Sequence, residues 1–315
     1  MKHIFSILGI FCFASAMACG IHQFKVPLNQ RGFYNPAAIC PYCQGSAYLA
    51  TGAFAGLDSD EFGLFITAGH DGDNAVHGAW DLTYSYSSGS DYSMSAYSTR
   101  YAWKQDIGSW KLAAGMRASW MNYTLLKATP ESYVSKSTRS CFNFDAGVMV
   151  TDEKGFYAGV SVLNLLQPKL VFGFESPGTT EIYSLQTEQS YVAATGGLVG
   201  LNRHFDLMLD ASASVSRGVQ CVRPSAMVRF NHKIAIGSAV TIDSGSEPVY
   251  EVQGGYTSTP FKWLNTVSFT ANGIVVETGV VVRFGVQRWR VTRLPVPCTT
   301  TPIPEPPRTE FSPSE

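Results

Sequence analysis

Between residues 142 and 165 the chain alternates with period two, and that pattern restricts the fold more than any other feature. Phe142, Phe144, Ala146, Val148 and Val150 interleave with Asn143, Asp145, Gly147, Met149 and Thr151. After Asp152-Glu153-Lys154-Gly155 the alternation resumes, with Phe156, Ala158, Val160 and Val162 against Tyr157, Gly159 and Ser161. Side chains on a strand point to opposite faces in turn, so this reads as a tight hairpin with one apolar and one polar face. A soluble sheet could carry one such hairpin. Here the pattern recurs along nearly the whole chain, behind an export signal and with no segment of helical period. The expected fold class is therefore all-β: a transmembrane outer-membrane β-barrel with lipid outside and a polar lumen inside.

Strands are expected near 46–54, 62–69, 78–87, 91–103, 109–122, 141–151, 155–165, 189–199, 204–216, 219–230, 233–243, 247–257, 262–271 and 275–286. That makes about fourteen antiparallel strands, an even number as bacterial barrels have. Charges stand at every second position inside several of them, Asp81, Arg117, Asp145, Arg223, Glu251 and Glu277 among them. In lipid those would be costly, so they face the interior, and their mixed signs suit a self-paired network better than an ion path. Trp110 and Trp120 bracket one face of a strand. At ~3.3 Å per residue and ~40° of tilt they lie roughly 25 Å apart along the membrane normal, the height of an apolar band between two aromatic girdles. Two core tryptophans of a β-sandwich are the competing reading.

Composition removes other classes. The formal net charge is -1 and only 15% of residues are charged, which leaves no clustered basic face for nucleic acid. No apolar run in the mature chain reaches the ~20 residues a spanning helix needs, as expected where strands cross the membrane. Residues 1–18 read as a signal peptide: Lys2 and His3 precede an apolar run over 4–13, and Ala16-Met17-Ala18 supplies the cleavage site. Cleavage leaves Cys19 first, which opens a second reading as a lipidated cysteine, although Met17 fits a lipoprotein signal poorly. Residues 19–45 form an N-terminal periplasmic segment, 46–286 the barrel, and 287–315 a Pro-rich periplasmic tail that cannot continue a sheet. With the N-terminus in the periplasm, the two longest gaps, near 123–140 and 166–188, fall outside the cell, and the short links fall inside.

Three short elements carry a family resemblance. Phe33-Tyr34-Asn35-Pro36-Ala37 precedes the first strand, Phe156-Tyr157-Ala158-Gly159-Val160-Ser161-Val162-Leu163-Asn164-Leu165 lies mid-barrel, and Arg223-Pro224-Ser225 opens a later strand. In this order and spacing, over roughly residues 23–286, the chain resembles the PorP/SprF family of type IX secretion membrane proteins. The resemblance implies an outer-membrane barrel without enzymatic activity that helps export or anchor large secreted proteins, including gliding adhesins. Its implied partners are outer-membrane lipid and secretion-system components or a secreted surface protein. One departure stands out: the family continues Asn-Pro-Ala with Tyr-Ala-Gly, whereas this chain has Ala38-Ile39-Cys40.

Little else points to chemistry. Cys40-Pro41-Tyr42-Cys43 has redox or metal spacing but no thioredoxin-like context and no second pair for zinc, so a disulfide is the expectation in an oxidising compartment. The partners of Cys40 and Cys43 could be each other, Cys19, Cys141, Cys221 or Cys298. The His70-Asp71-Gly72-Asp73-Asn74 turn lacks the spacing of a calcium loop. No catalytic, metal or cofactor site is expected. Candidate partner-contact residues are the aromatics of the long loops, Tyr123, Tyr133, Phe172, Phe174 and Tyr183. Rim aromatics anchored in lipid headgroups are the competing reading. For function, a general porin or small-solute channel stands as the alternative, and a barrel enzyme would lack a catalytic constellation.

Overall fold

The computed structural model describes residues 34–38, 46–57, 61–71, 78–128, 134–152, 155–176, 179–216, 219–244, 246–258, 261–270 and 273–284. The expected signal peptide, Cys19, Cys40, Cys43, Tyr133 and the Pro-rich tail lie outside these residues, as does the side chain of Phe174.

Every expected strand is present. They are β1 (Ser46–Gly56), β2 (Phe62–Asp71), β3 (Ala79–Ser88), β4 (Tyr92–Ile107), β5 (Trp110–Ala128), β6 (Val134–Asp152) and β7 (Tyr157–Leu163). After an added hairpin, β8 (Lys169–Ser176) and β9 (Thr179–Gln186), come β10 (Ser190–Gly200), β11 (Phe205–Ser216), β12 (Val219–Phe230) and β13 (Ile234–Asp243). The last three are β14 (Val249–Thr257), β15 (Phe261–Thr270) and β16 (Gly273–Phe284). Chain neighbours pair antiparallel, β7 pairs with β10, and β16 returns to β1, which closes a 14-strand barrel. The closing seam runs from Ala47↔Phe284 to Gly56↔Val275. A closed ring leaves no backbone edge in lipid, which is why this is one of the two architectures that can span a membrane.

The faces follow the period-two reading. Trp110 and Trp120 are 47% and 49% exposed on the outer wall, while Arg117 and Ser119 beside them are buried inside. Trp80 and Trp103 join Trp110 at one end of the outer wall, and Tyr97 and Phe142 adjoin Trp120 towards the other. Two exposed aromatic belts around an apolar band fit a barrel in lipid and not the core of a sandwich. Since strands alternate in direction from Ser46, the β1–β2, β3–β4, β5–β6 and β7–β10 links share one end, the far end. Short turns such as the one at Gly108, with φ of +64°, close the near end.

Two expected loops prove to be structured. The gap near 123–140 is mostly strand, because β5 runs on to Ala128 and β6 starts at Val134. Beyond the lipid an outward side chain need not be apolar, so the alternation stops while the ladder continues. The Thr124 and Thr138 hydroxyls meet at 3.0 Å, and Ser140 donates to Asn122 at 2.6 Å. The gap near 166–188 contains the β8–β9 hairpin, a separate two-stranded sheet. Pro177-Gly178 between two alternating runs was its signal in the sequence.

Candidate functional site

The charges that parity sends inward find each other along the inner wall, on adjacent strands or, for Arg223 and Glu251, one strand further apart. Arg100 donates to Asp81 from Nε at 2.9 Å and from Nη2, and Tyr48 donates to the same carboxylate at 2.7 Å. Arg117 pairs with Asp145 at 2.5 Å. Arg223 reaches Glu251 with Nε at 3.2 Å and Nη2 at 2.5 Å, and Thr241 adds a bond to Glu251 at 3.1 Å. Burial is tolerable for such ions only when they are paired and hydrogen-bonded. Near-end turns carry a looser group, with Arg229 and His232 both on Asp206.

Within this charged ring the five residues 34–38 form an inner plug. Asn35 donates from Nδ2 to the carbonyls of Val148 at 2.9 Å and Val160 at 3.3 Å, on β6 and β7. Its Oδ1 accepts from the Ala37 N–H at 2.9 Å, so one side chain both shapes the Asn-Pro-Ala turn and fastens it to the wall. Ser161 donates to the Tyr34 carbonyl. The Tyr34 phenol interacts electrostatically with Arg223, Glu251 and Glu277, on β12, β14 and β16. The plug is thus fastened to the β6–β7 wall, with its tyrosine within range of the charges on β12, β14 and β16.

Three glycines make this approach possible. A Cβ on Gly115 would stand 2.5 Å from backbone atoms of Pro36 and Ala37, one on Gly147 would collide with Asn35 Oδ1, and one on Gly159 would lie 2.7 Å from Asn35 Nδ2. Gly115 and Gly147 are register partners, and Gly147 pairs with Ser161. Ala37 and Ala38 complete the contact against Ala113, Met149 and Tyr157. Tyr157 in turn donates to Asp210 at 2.6 Å. The Asn-Pro-Ala and Phe-Tyr-x-Gly-x-Ser elements are thus the two halves of one contact, and Arg223 belongs to the wall opposite.

Above the plug, the β8–β9 hairpin folds back into the far mouth. Its hinge is Asn164, in the left-handed region with φ of +58°. The Asn164 N–H donates to Asp145 at 2.7 Å, its Nδ2 donates to the Glu188 carbonyl at 2.9 Å, and its Oδ1 accepts from Asn143 at 2.5 Å. Asp145 therefore serves both Arg117 and the hairpin base. Leu170 and Phe172 are buried against Met94, Met121, Tyr123 and Cys141 on the lumenal faces of β4 to β6. Arg139 donates to the Val171 carbonyl at 2.8 Å.

Of the candidate contact aromatics, Tyr123 and Phe172 lie together in that buried cluster, where they seat the hairpin, and Tyr183 is exposed. Tyr133 and the Phe174 side chain fall outside the described residues. Cys141 is buried in the same cluster and Cys221 is half-buried on β12. Among the described residues no group of three or more His, Cys, Asp or Glu could hold a metal ion. His70 lies in β2, and the rest of its turn, 72–77, is outside the described residues. Sequence reasoning missed Asn164, Arg100 and the paired glycines, whose roles depend on which strand lies beside which.

Comparison with solved structures gives a TodX deltaS2S3 mutant, a monoaromatic hydrocarbon channel, at 7% identity and a TM-score of 0.52, covering 82% of this chain and 94% of that one. The Ralstonia pickettii toluene transporter TbuX follows at 8% identity and a TM-score of 0.48, with 83% and 97% covered. The Acinetobacter baumannii outer membrane protein Omp33 gives 9% identity and a TM-score of 0.45, with 76% and 98% covered. At such identities the likeness concerns the fold alone. No curated protein matches the chain. The model of one sequence family, described as type IX secretion system membrane protein PorP/SprF, matches residues 64–274.

Proposed function

Because the chain belongs to the PorP/SprF family of type IX secretion system membrane proteins, we propose that it is a non-enzymatic outer-membrane barrel that assists export or surface anchoring of large secreted proteins, gliding adhesins among them. In this reading the near end faces the periplasm and the far end, with its hairpin, faces outward. The observation that carries it is the pair of segments held inside the barrel. Asn35 is fastened to β6 and β7 while Tyr34 engages the side of Arg223 and Glu277, and Phe172 is buried in the mouth above. A barrel occupied in this way suits a platform that presents its rim to protein. The competing reading, a porin or small-solute channel such as the TodX channel's description names, needs a continuous aqueous path where these two segments stand.

Deleting the gene separates the two. The secretion role predicts loss of one or a few large proteins from the cell surface, or their release to the medium, with antibiotic influx unchanged. An intact surface proteome with reduced influx would reverse the assignment. Cys40 and Cys43 are proposed to be oxidised in the mature protein. Both should resist alkylation in freshly isolated outer membranes until reduced, and two freely alkylated thiols there would refute it.

A further inference from the structure

Among the described residues, the β8–β9 hairpin leaves one strand edge without a strand partner over the mouth of the barrel. Thr187 donates its N–H to the Pro168 carbonyl at 3.1 Å, which fixes the phase of the ladder. Antiparallel pairs alternate between hydrogen-bonded and non-bonded, so Leu170↔Leu185 and Phe172↔Tyr183 exchange bonds whereas Val171↔Ser184 and Gly173↔Ile182 do not. The backbone N–H and C=O of Ile182 and Ser184 therefore point away from β8. Among the described residues no other strand pairs with β9.

Natural edges are ordinarily guarded by proline, lysine, a bulge or a covering segment. The run Thr179–Gln186 holds neither proline nor lysine, and its one charge is Glu181. Ile182 is 70% exposed, the highest figure among the exposed large apolar side chains of the described residues. Lipid does not account for it, because the hairpin packs on lumenal residues Met121, Tyr123 and Cys141 and the lipid lies beyond the wall. A second copy in the same membrane does not reach it either. β5 continues from Tyr123 to Ala128, and β6 rises equally, which raises a parapet of roughly 15 Å at ~3.3 Å per residue outside the hairpin. An extended chain entering from the aqueous side can reach it.

We propose that the β9 edge receives an extended segment of an exported protein by strand addition, with the backbone of Ile182 and Ser184 supplying the ladder and the Ile182 side chain an apolar contact. The proposal rests on the secretion role above and assigns its docking point. It is tested in cells expressing the full chain, with Ser184→Pro, Ile182→Ser, and a photoactivatable residue in place of Ile182 or, as a lipid-facing control, of Val160. Ser184→Pro removes an outward N–H while sparing the bonds to β8, and proline is tolerated on an edge strand facing outward. Ile182→Ser should lower retention of the surface protein that gene deletion removes by roughly tenfold or more, the effect of losing one buried aliphatic contact, and Ser184→Pro by roughly three- to tenfold, the effect of losing one backbone hydrogen bond. Crosslinks from position 182 should map to one contiguous segment of that same protein.

Full retention in both variants, with the barrel folded as judged by heat-modifiable gel migration, would overturn the docking point and leave the secretion role standing. Should Ser184→Pro fail to fold, Ile182→Ser decides. Crosslinks confined to lipid or to a second copy would also overturn it. A surface proteome unchanged on gene deletion would remove the secretion role and this proposal with it.

Discussion

The two sides of the lumen are filled by different means. On the β1–β3 side, glycines admit side chains from adjacent strands: Gly52 faces the Phe65 ring, Gly63 the Phe54 ring, and Gly69 both Tyr48 and Asp81. On the β5–β7 side, Gly115, Gly147 and Gly159 admit a segment that is far away in sequence, Asn35 being 113 positions from Val148. The first arrangement is packing within a wall and forms as the strands pair. The second is docking, and it must offset the closure of a long loop with a few hydrogen bonds and a small apolar contact. One residue type therefore marks two different things. A glycine that faces a ring on the adjacent strand is part of the wall, and a glycine that faces a segment distant in sequence is a seat.

The largest effect should come from the point where wall and docked segments share a partner. Asp145→Ala leaves Arg117 buried without its counter-ion and removes the acceptor of the Asn164 N–H. A loss of about 3–5 kcal/mol is expected in a urea titration of the refolded barrel, with the hairpin newly open to protease. A loss below about 1 kcal/mol would mean that the β5–β7 side does not depend on its ion pair.

Next is the outer wall itself. Val280, on the outward face of β16, changed to Arg should cost about 2–4 kcal/mol, a charge placed against lipid. Glu277→Gln, on the buried inner face, keeps the shape and a polar end and should cost less, about 0.5–1.5 kcal/mol, the scale of one net hydrogen bond. Equal losses in a folding titration would contradict the assignment of faces.

The two kinds of glycine can then be compared directly. Gly147→Val should expel the plug, opening a conductance in planar bilayers while lowering stability by about 1–2 kcal/mol. Gly63→Val meets the Phe54 ring and should cost about 1–3 kcal/mol through overpacking, with no conductance gained. Equal conductance in both variants would erase the distinction. The smallest effect is expected of Lys111→Gln. Its exposed contact with Asp106, at 3.9 Å, should be worth about 0–1 kcal/mol in the same titration, and a larger loss would show Lys111 to be part of the inner network.

What the sequence by itself determined is the wall. Lipid on one side and a polar lumen on the other impose period two on every strand, so the faces of Trp110 and Trp120, of Arg117 and Asp145, and of Val280 and Glu277 were legible residue by residue. So was the number of strands in the ring. The far-end extensions of β5 and β6 are not legible there, because above the lipid nothing enforces an apolar face, and pairing alone leaves little trace in composition. What only the tertiary structure decided is how the lumen is filled. Asn35 meets Gly147 and Gly159 only after the ring has closed, and Asn164 meets Asp145 only once the hairpin has folded inward. Such contacts carry no period, since each depends on one atom fitting one gap between distant segments, and the three motifs that bear the family resemblance reveal their common site only when strand order brings them together.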